Sequence, residues 1–295
     1  MRKKPGSYIL SYSFLLPFFF FFVVFIIYPI IDVFILSFQS GTFLDQRFIW
    51  AGLRNFRTVL TNKDFINSFR NSLLYIVMAV PVCQIFALFF AILIRKKTAV
   101  TTIYESVFFM PMLISMVAAS VLIAYVLSNN GPVNAVIEFA GLEKVNWMGK
   151  PFNALVSVMI LEIWKGGTFF IFVYMTALRA IPEDYSQAAR IDGANNIQET
   201  FMITLPLLRH SIILCITMNT IWQFQIFESV YMLTGGGPLK ATESVIYSLY
   251  MYTFKFGRIG VGAAASVLFL FFILIVCGLE MLVFRLGGDG RDGGL

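Results

Sequence analysis

The sequence predicts an all-α, polytopic membrane protein with six transmembrane helices, and three observations lead there. Of the 295 residues, 59% are hydrophobic and only 13% are charged, whereas a soluble domain carries about 25% charged residues. The mean hydropathy is +0.81, with 33 Phe suited to lipid-facing helices. Six stretches hold the roughly 20 mostly apolar residues that a bilayer-crossing helix needs. Such a chain cannot coat a water-facing surface of its own size. That excludes a soluble enzyme, a disordered regulator and a secreted disulfide scaffold.

The first span, about residues 12–38, contains an unbroken Phe run at 18–22 and two prolines, Pro17 and Pro29, expected to bend it. Arg2, Lys3 and Lys4 precede it, but its apolar core is too long for a signal peptide and no small-residue cleavage site follows. It is therefore read as a retained helix. The second span covers about 73–94, the third 103–127, the fourth 154–178, the fifth 207–233 and the sixth 262–284. The tail 287–295 is glycine-rich and polar and reads as a frayed end.

Lys and Arg divide almost evenly between the two sides of this layout, so orientation rests on the tight clusters at span ends, where the positive-inside bias acts most strongly. These are Arg2, Lys3 and Lys4, and Arg95, Lys96 and Lys97. They place the N-terminus, and with six spans the C-terminus, in the cytoplasm. The first outside loop, 39–72, holds five basic residues and runs against the rule. The net charge of +6 is thereby assigned to topology at the lipid boundary, with no nucleic-acid partner. Cys83, Cys215 and Cys277 each sit in apolar runs and imply neither disulfides nor a metal site. A single histidine, His210, excludes zinc-protease motifs and His-based triads within this chain.

One loop, 179–206, is cytoplasmic in this layout and patterned. Pro182, Glu183 and Asp184 form a helix start, with acidic groups complementing the helix dipole. The helix runs through Asp192, and Gly193 ends it. At about 100° per residue, Ala188, Ala189, Asp192 and Gly193 share one small-residue face that another chain can approach closely. Asn196 and Glu199 then fit a capping box that starts a second short helix. By spacing alone this is equally an ordinary helical hairpin between two spans.

Gln187-Ala188-Ala189-x-x-x-Gly193, nine residues, then Ile203-x-Leu205-Pro206 resembles the EAA motif of ABC-importer permease subunits, with matching spacing throughout. The run from Ala189 to Ala194, and Leu233-Thr234-Gly235-Gly236-Gly237-Pro238, resemble the carbohydrate-uptake branch. The resemblance covers about residues 10–285 and implies the type-1 transmembrane domain of ABC transporters. Residues 1–67 are then the N-terminal tail, first helix and first extracellular loop, 68–284 the permease core with five transmembrane helices, and 285–295 a flexible tail. The resemblance further implies a coupling helix, with Gln187, Ala188, Ala189, Asp192 and Gly193 docking on a cytoplasmic ATPase. The motif's Glu is Gln187 here, which removes one charge from that contact.

The implied partners are a second homologous permease, an ATPase dimer carrying ATP and Mg, an extracellular solute-binding protein and the bilayer; this chain itself binds no cofactor. The implied cargo is a sugar, oligosaccharide or polyol phosphate. The loop of Gly235, Gly236, Gly237 and Pro238 faces the binding protein on this reading; with no P-loop Lys following, it is a turn and not a phosphate cradle.

Within the spans, Glu162 and Lys165 share a helix face and serve either as a mutual salt bridge or as part of a pore or gate, since intramembrane charges face a bundle interior or a wet path. Gly166 and Gly167 beside them suggest a bend. Trp222, Gln225 and Glu228 recur at roughly helical spacing and either contact a sugar or bond to the partner permease. Gly262 and Ser266 form a small-x3-small pattern for close helix packing, and Glu105 and Glu280, near span ends, are expected to reach the interface. A secondary transporter is the alternative, although it favours a longer chain or an inverted repeat. An intramembrane enzyme finds no nucleophile elbow or metal-ligand cluster to support it.

Overall fold

The computed structural model describes residues 15–42, 47–96 and 98–286, apart from the side chains of Ala99 and residues 283–286. Arg2, Lys3, Lys4, Lys97, the start of the first expected span and the tail 287–295 lie outside the described residues. By its contacts the chain forms two compact units, Met1–Asn62 with Leu249–Phe272, and Lys63–Ser248 with Ile273–Leu295.

In the first unit, helix α1 (Leu15–Ser37) has no buried residue in its most apolar window, as expected of a helix whose solvent is lipid. Pro29 has no N–H to give, and the helix adjusts with a π-turn at Val23–Ile27, whose closing bond runs from the Tyr28 N–H to the Val23 carbonyl. It thus continues as one helix past both prolines. A two-residue antiparallel pair, β1 (Gln39–Ser40) and β2 (Ile49–Trp50), and helix α2 (Arg54–Thr61) follow. Asn55 is buried and donates from Nδ2 to the carbonyls of Ser37 (2.9 Å) and Gln39 (2.7 Å), tying α2 to the end of α1. Gly260 lies where a Cβ would collide with the Gln39 carbonyl. The expected close approach at Gly262 is also present, made against Thr253 Oγ1.

The second unit is built on helix α3 (Lys63–Leu93), which starts ten residues before the expected second span. At 1.5 Å per residue it is about 46 Å long, longer than the roughly 30 Å hydrocarbon core. Polar residues of its first turns therefore form helix outside the apolar window, where hydropathy could not register them. Short helices α4 (Ala99–Leu113), α5 (Met116–Val126) and α6 (Pro132–Phe139) precede the long α7 (Pro151–Arg179). Then come α8 (Glu183–Ile191), α9 (Asn196–Leu207), α10 (Arg209–Phe224), α11 (Val245–Tyr250) and α12 (Ile259–Leu286); the last begins in the first unit and ends in the second.

The core of this unit is a seam of α3, α7 and α10. Cys83, Ala87 and Ala91, four residues apart, present small side chains to Phe170, Ile171, Tyr174 and Met175. In lipid no hydrophobic force draws helices together, so association depends on such close packing and on hydrogen bonds between helices. Gln84 supplies these: its Oε1 accepts from the Tyr174 hydroxyl (2.6 Å) and its Nε2 donates to the Cys215 carbonyl (3.2 Å).

Two expected spans are not single helices. The third is broken between α4 and α5, which meet at 104°. Pro111 lacks a donor, Ile114 is extended, and the Ser115 side chain caps α5 by accepting from the Ala118 N–H (3.2 Å). Before the fifth, the loop helix α9 meets α10 at 70°. The fifth itself stops at Phe224; a π-turn at Val230–Thr234 resumes after the break, ending at left-handed Gly235. Ser244 donates its hydroxyl to the Ile226 carbonyl left free by that break. Conversely, α7 runs unbroken through Gly166 and Gly167. Gly167 instead admits the Phe86 ring, 3.2 Å from where its Cβ would sit.

Candidate functional site: a braced loop helix and a polar cavity

Helix α8 carries the motif residues. Pro182 is its N-cap, Glu183 and Asp184 fill its first turn, and Gly193 at φ +84° follows its end. The Ala194 N–H reaches back to the Ala189 carbonyl (2.9 Å), closing the left-handed cap. A Cβ on Gly193 would meet nothing within 4 Å, so its backbone conformation, not crowding within this chain, demands glycine. Ala189 is buried, whereas Gln187, Ala188, Asp192 and Gly193 are exposed. The small-residue face is thus only partly open.

The second capping box forms one residue earlier than its spacing suggested. Asn195, not Asn196, is the N-cap and accepts from the N–H groups of Ile197 (3.0 Å) and Gln198 (2.9 Å); Gln198 returns the bond to the Asn195 N–H (2.9 Å). This frees Glu199, whose side chain is 1% exposed. It accepts from Arg95 beyond the end of α3 (3.1 Å) and from Ser186 of α8 (2.9 Å), with Arg190 of α8 at 3.5 Å. Burial pushes its carboxyl upward, but the Ser186 hydroxyl and the two guanidiniums outweigh that and hold it below the ordinary glutamate range. One buried carboxylate therefore clasps the loop helix to the foot of α3. Sequence reading missed this by spending Glu199 on the cap; the adjacent Asn-Asn pair was the signal that the register could slip by one.

The five polar candidates of the spans come together. Glu162, Lys165, Trp222, Gln225 and Glu228 all line one cavity of about 430 Å³, with Phe169 and Met112. The helix breaks after Phe224, and Trp222 before the break shares this wall with Gln225 and Glu228 after it. Trp222 lies 5.0 Å from the Phe169 ring and 5.2 Å from the Phe170 ring. Lys165 makes no salt bridge with Glu162; its Nζ donates to the carbonyls of Ile114 (2.6 Å) and Pro111 (3.4 Å). The lysine thus satisfies the backbone freed at the α4–α5 break, which hydropathy does not reveal.

Glu105 and Glu280, near span ends, each pair with another helix. Glu105 accepts from Arg179 and Glu280 accepts from Thr220 (2.7 Å). Gly235 and Gly236 have φ of +58° and +83°, so the expected turn is present. Asn67 and Asn71 of α3 donate to the Lys240 carbonyl (2.8 and 2.9 Å) and hold it.

The family model described as "Binding-protein-dependent transport system inner membrane component" matches residues 62–285. A probable ABC transporter permease protein of Bacillus subtilis is 32% identical over 92% of this chain and 88% of its own length. The trehalose/maltose transport system permease protein of Thermococcus litoralis is 30% identical over 96% and 95%. Among solved structures, a bacterial ABC transporter involved in import of the acidic polysaccharide alginate superposes with a TM-score of 0.82 at 22% identity, over 94% of this chain and 95% of that one.

Proposed function

Because this chain belongs to the family of binding-protein-dependent transport system inner membrane components, we propose that it forms half of the translocation path for a carbohydrate and couples that path to a separate ATPase through α8. The carrying observation is the clasp at Glu199. It joins the motif-bearing helix to the foot of α3, and α3 packs through Gln84 on α7, which lines the cavity. A push on α8 then has a stiff route to the pore.

The exposure of Ile191 (85%) and Ile197 (69%) supports docking, since apolar side chains in water outside the spans mark a surface that another protein covers. On this reading α8 and both termini are cytoplasmic, a second permease completes the pore, and ATP and Mg stay on the ATPase dimer. A solute-binding protein meets the outer loop of Gly235, Gly236, Gly237 and Pro238. In the cavity, the Trp222 and Phe169 rings offer faces to sugar C–H groups, while Gln225, Glu228 and Glu162 offer partners to hydroxyls. Two relatives, the trehalose/maltose permease and an arabinooligosaccharides transport system permease protein of Bacillus subtilis, are named for saccharides.

Proteoliposomes holding this chain, its partner permease and the ATPase, supplied with binding protein and labelled oligosaccharide, test the reading. Uptake is expected only with internal ATP. Uptake by this chain alone under an ion gradient without ATP would establish a secondary transporter instead, and crosslinking that places residues near Ala189 on the cell exterior would overturn the coupling.

A further inference from the structure

A second cavity, of about 660 Å³, opens between the foot of α3 and α8. Arg95, Lys96, Arg179 and Arg190 line it, against a single lining carboxylate, Glu183. Two further carboxylates stand near these cations: Glu199 takes Arg95 and Arg190, and Glu105 takes Arg179. They orient the guanidiniums without exhausting them, because each guanidinium carries five N–H donors: Glu199 reaches one nitrogen of Arg95 and one of Arg190, and Arg179 uses Nε and Nη2 on the Arg95 and Ile94 carbonyls and Glu105, leaving Nη1. Lys96 is exposed and joins none of the ion pairs among the described residues. Even with all three carboxylates counted, positive charge is in excess. The remaining polar wall includes Gln187. A glutamate there would put an opposing charge on the wall, whereas the amide adds donors.

We propose that this cavity binds a phosphate group. Guanidiniums held in fixed orientation beside an ammonium recognise phosphate by charge-assisted, multidentate hydrogen bonds, and the buried Glu199 provides that orientation before any ligand arrives. The cavity sits where α3 and α7 end, beside their last apolar turns. That is headgroup depth for spans of this length, so an anionic phospholipid and a soluble phosphate compound present the same chemistry. Either one bridges Lys96 and Arg179 to Arg190 and so braces α8, the element assigned above to ATPase docking. The site itself stands on side-chain geometry and does not depend on that assignment.

The test uses the full chain purified in detergent, with no ATPase or sugar present. Native mass spectrometry reads retention of added phosphatidylglycerol against phosphatidylcholine, and calorimetry reads inorganic phosphate in a separate arm. Retention of phosphatidylglycerol alone is expected, weakened about fivefold by Lys96→Ala and by Gln187→Glu, the effect of one charge near an anionic surface, and unchanged by Lys150→Ala on a different loop. Phosphate binding with the same variant sensitivities, and no lipid preference, supports the site with a soluble ligand. If neither anion binds, or if binding ignores both variants, the proposal is overturned. Both positions are exposed; Lys96→Gln repeats the reading should the alanine variant not be recovered.

Discussion

Glu199→Gln is the most informative single change, because it keeps size and shape and removes only charge. In the native loop the carboxylate, 1% exposed, faces Arg95 at 26% and Arg190 at 55% side-chain exposure. Removing one partner of a fully buried pair costs about 3–5 kcal/mol. Here both guanidiniums reach water and recover solvation, so the loss falls toward the ~1.5 kcal/mol of a single hydrogen bond to a charged group. The amide oxygen still accepts from Ser186, so the effect is a local loosening of α8 and not unfolding of the spans.

Amide hydrogen exchange over Ala188 to Asp192 reads it directly: about 1.5 kcal/mol of lost local stability is roughly tenfold faster exchange. The long helices α3 and α7 should be unaffected. Exchange at α8 unchanged by Glu199→Gln would refute the clasp. The pH dependence has a definite sign. The folded carboxyl is held below its unfolded value of about 4.3, so its contribution is fully present above that value and is lost as pH falls through the depressed folded pKa. Acidification below pH ~4 should loosen α8 in the native protein and not in the Gln variant.

Three further outcomes follow from the geometry. Gly193→Ala forces a Cβ into the left-handed region at a cost of about 1–2 kcal/mol with open space around it, and should impair ATP-driven uptake while membrane insertion, read by protease protection, stays normal. Lys165→Met leaves the Pro111 and Ile114 carbonyls without their cation and should lower the thermal midpoint of the purified chain, whereas Glu162→Gln, which breaks no salt bridge with Lys165, should lower it less. Tyr174→Phe with Gln84→Leu should show a coupling energy of about 0.6 kcal/mol in a double-mutant cycle, the average for hydrogen bonds between membrane helices.

The extent of apolar helix was legible because lipid rewards unbroken hydropathy, and the α8 boundaries were legible because Pro182, the acidic first turn and Gly193 act locally. The slip of the capping box from Asn196 to Asn195 was not, since either Asn satisfies the same short-range chemistry and only the burial of Glu199 chooses between them. Likewise the pairing of Glu162 with Lys165 looked favourable on one helix. Lys165 instead takes carbonyls some fifty residues away in sequence, a competitor that no local pattern displays.

The amino-acid order by itself determined that this chain lives in a bilayer, how many apolar stretches it offers, and that one patterned loop between them carries a helix capped by glycine. These depend on composition and on neighbours within a few residues. Tertiary contact alone decided that two of those stretches break, that Trp222, Gln225, Glu228, Glu162 and Lys165 face one cavity, and that Glu199 binds the loop to α3. In lipid a freed carbonyl or a buried charge must find its partner within the protein, and that partner lies wherever the packing of distant helices brings it.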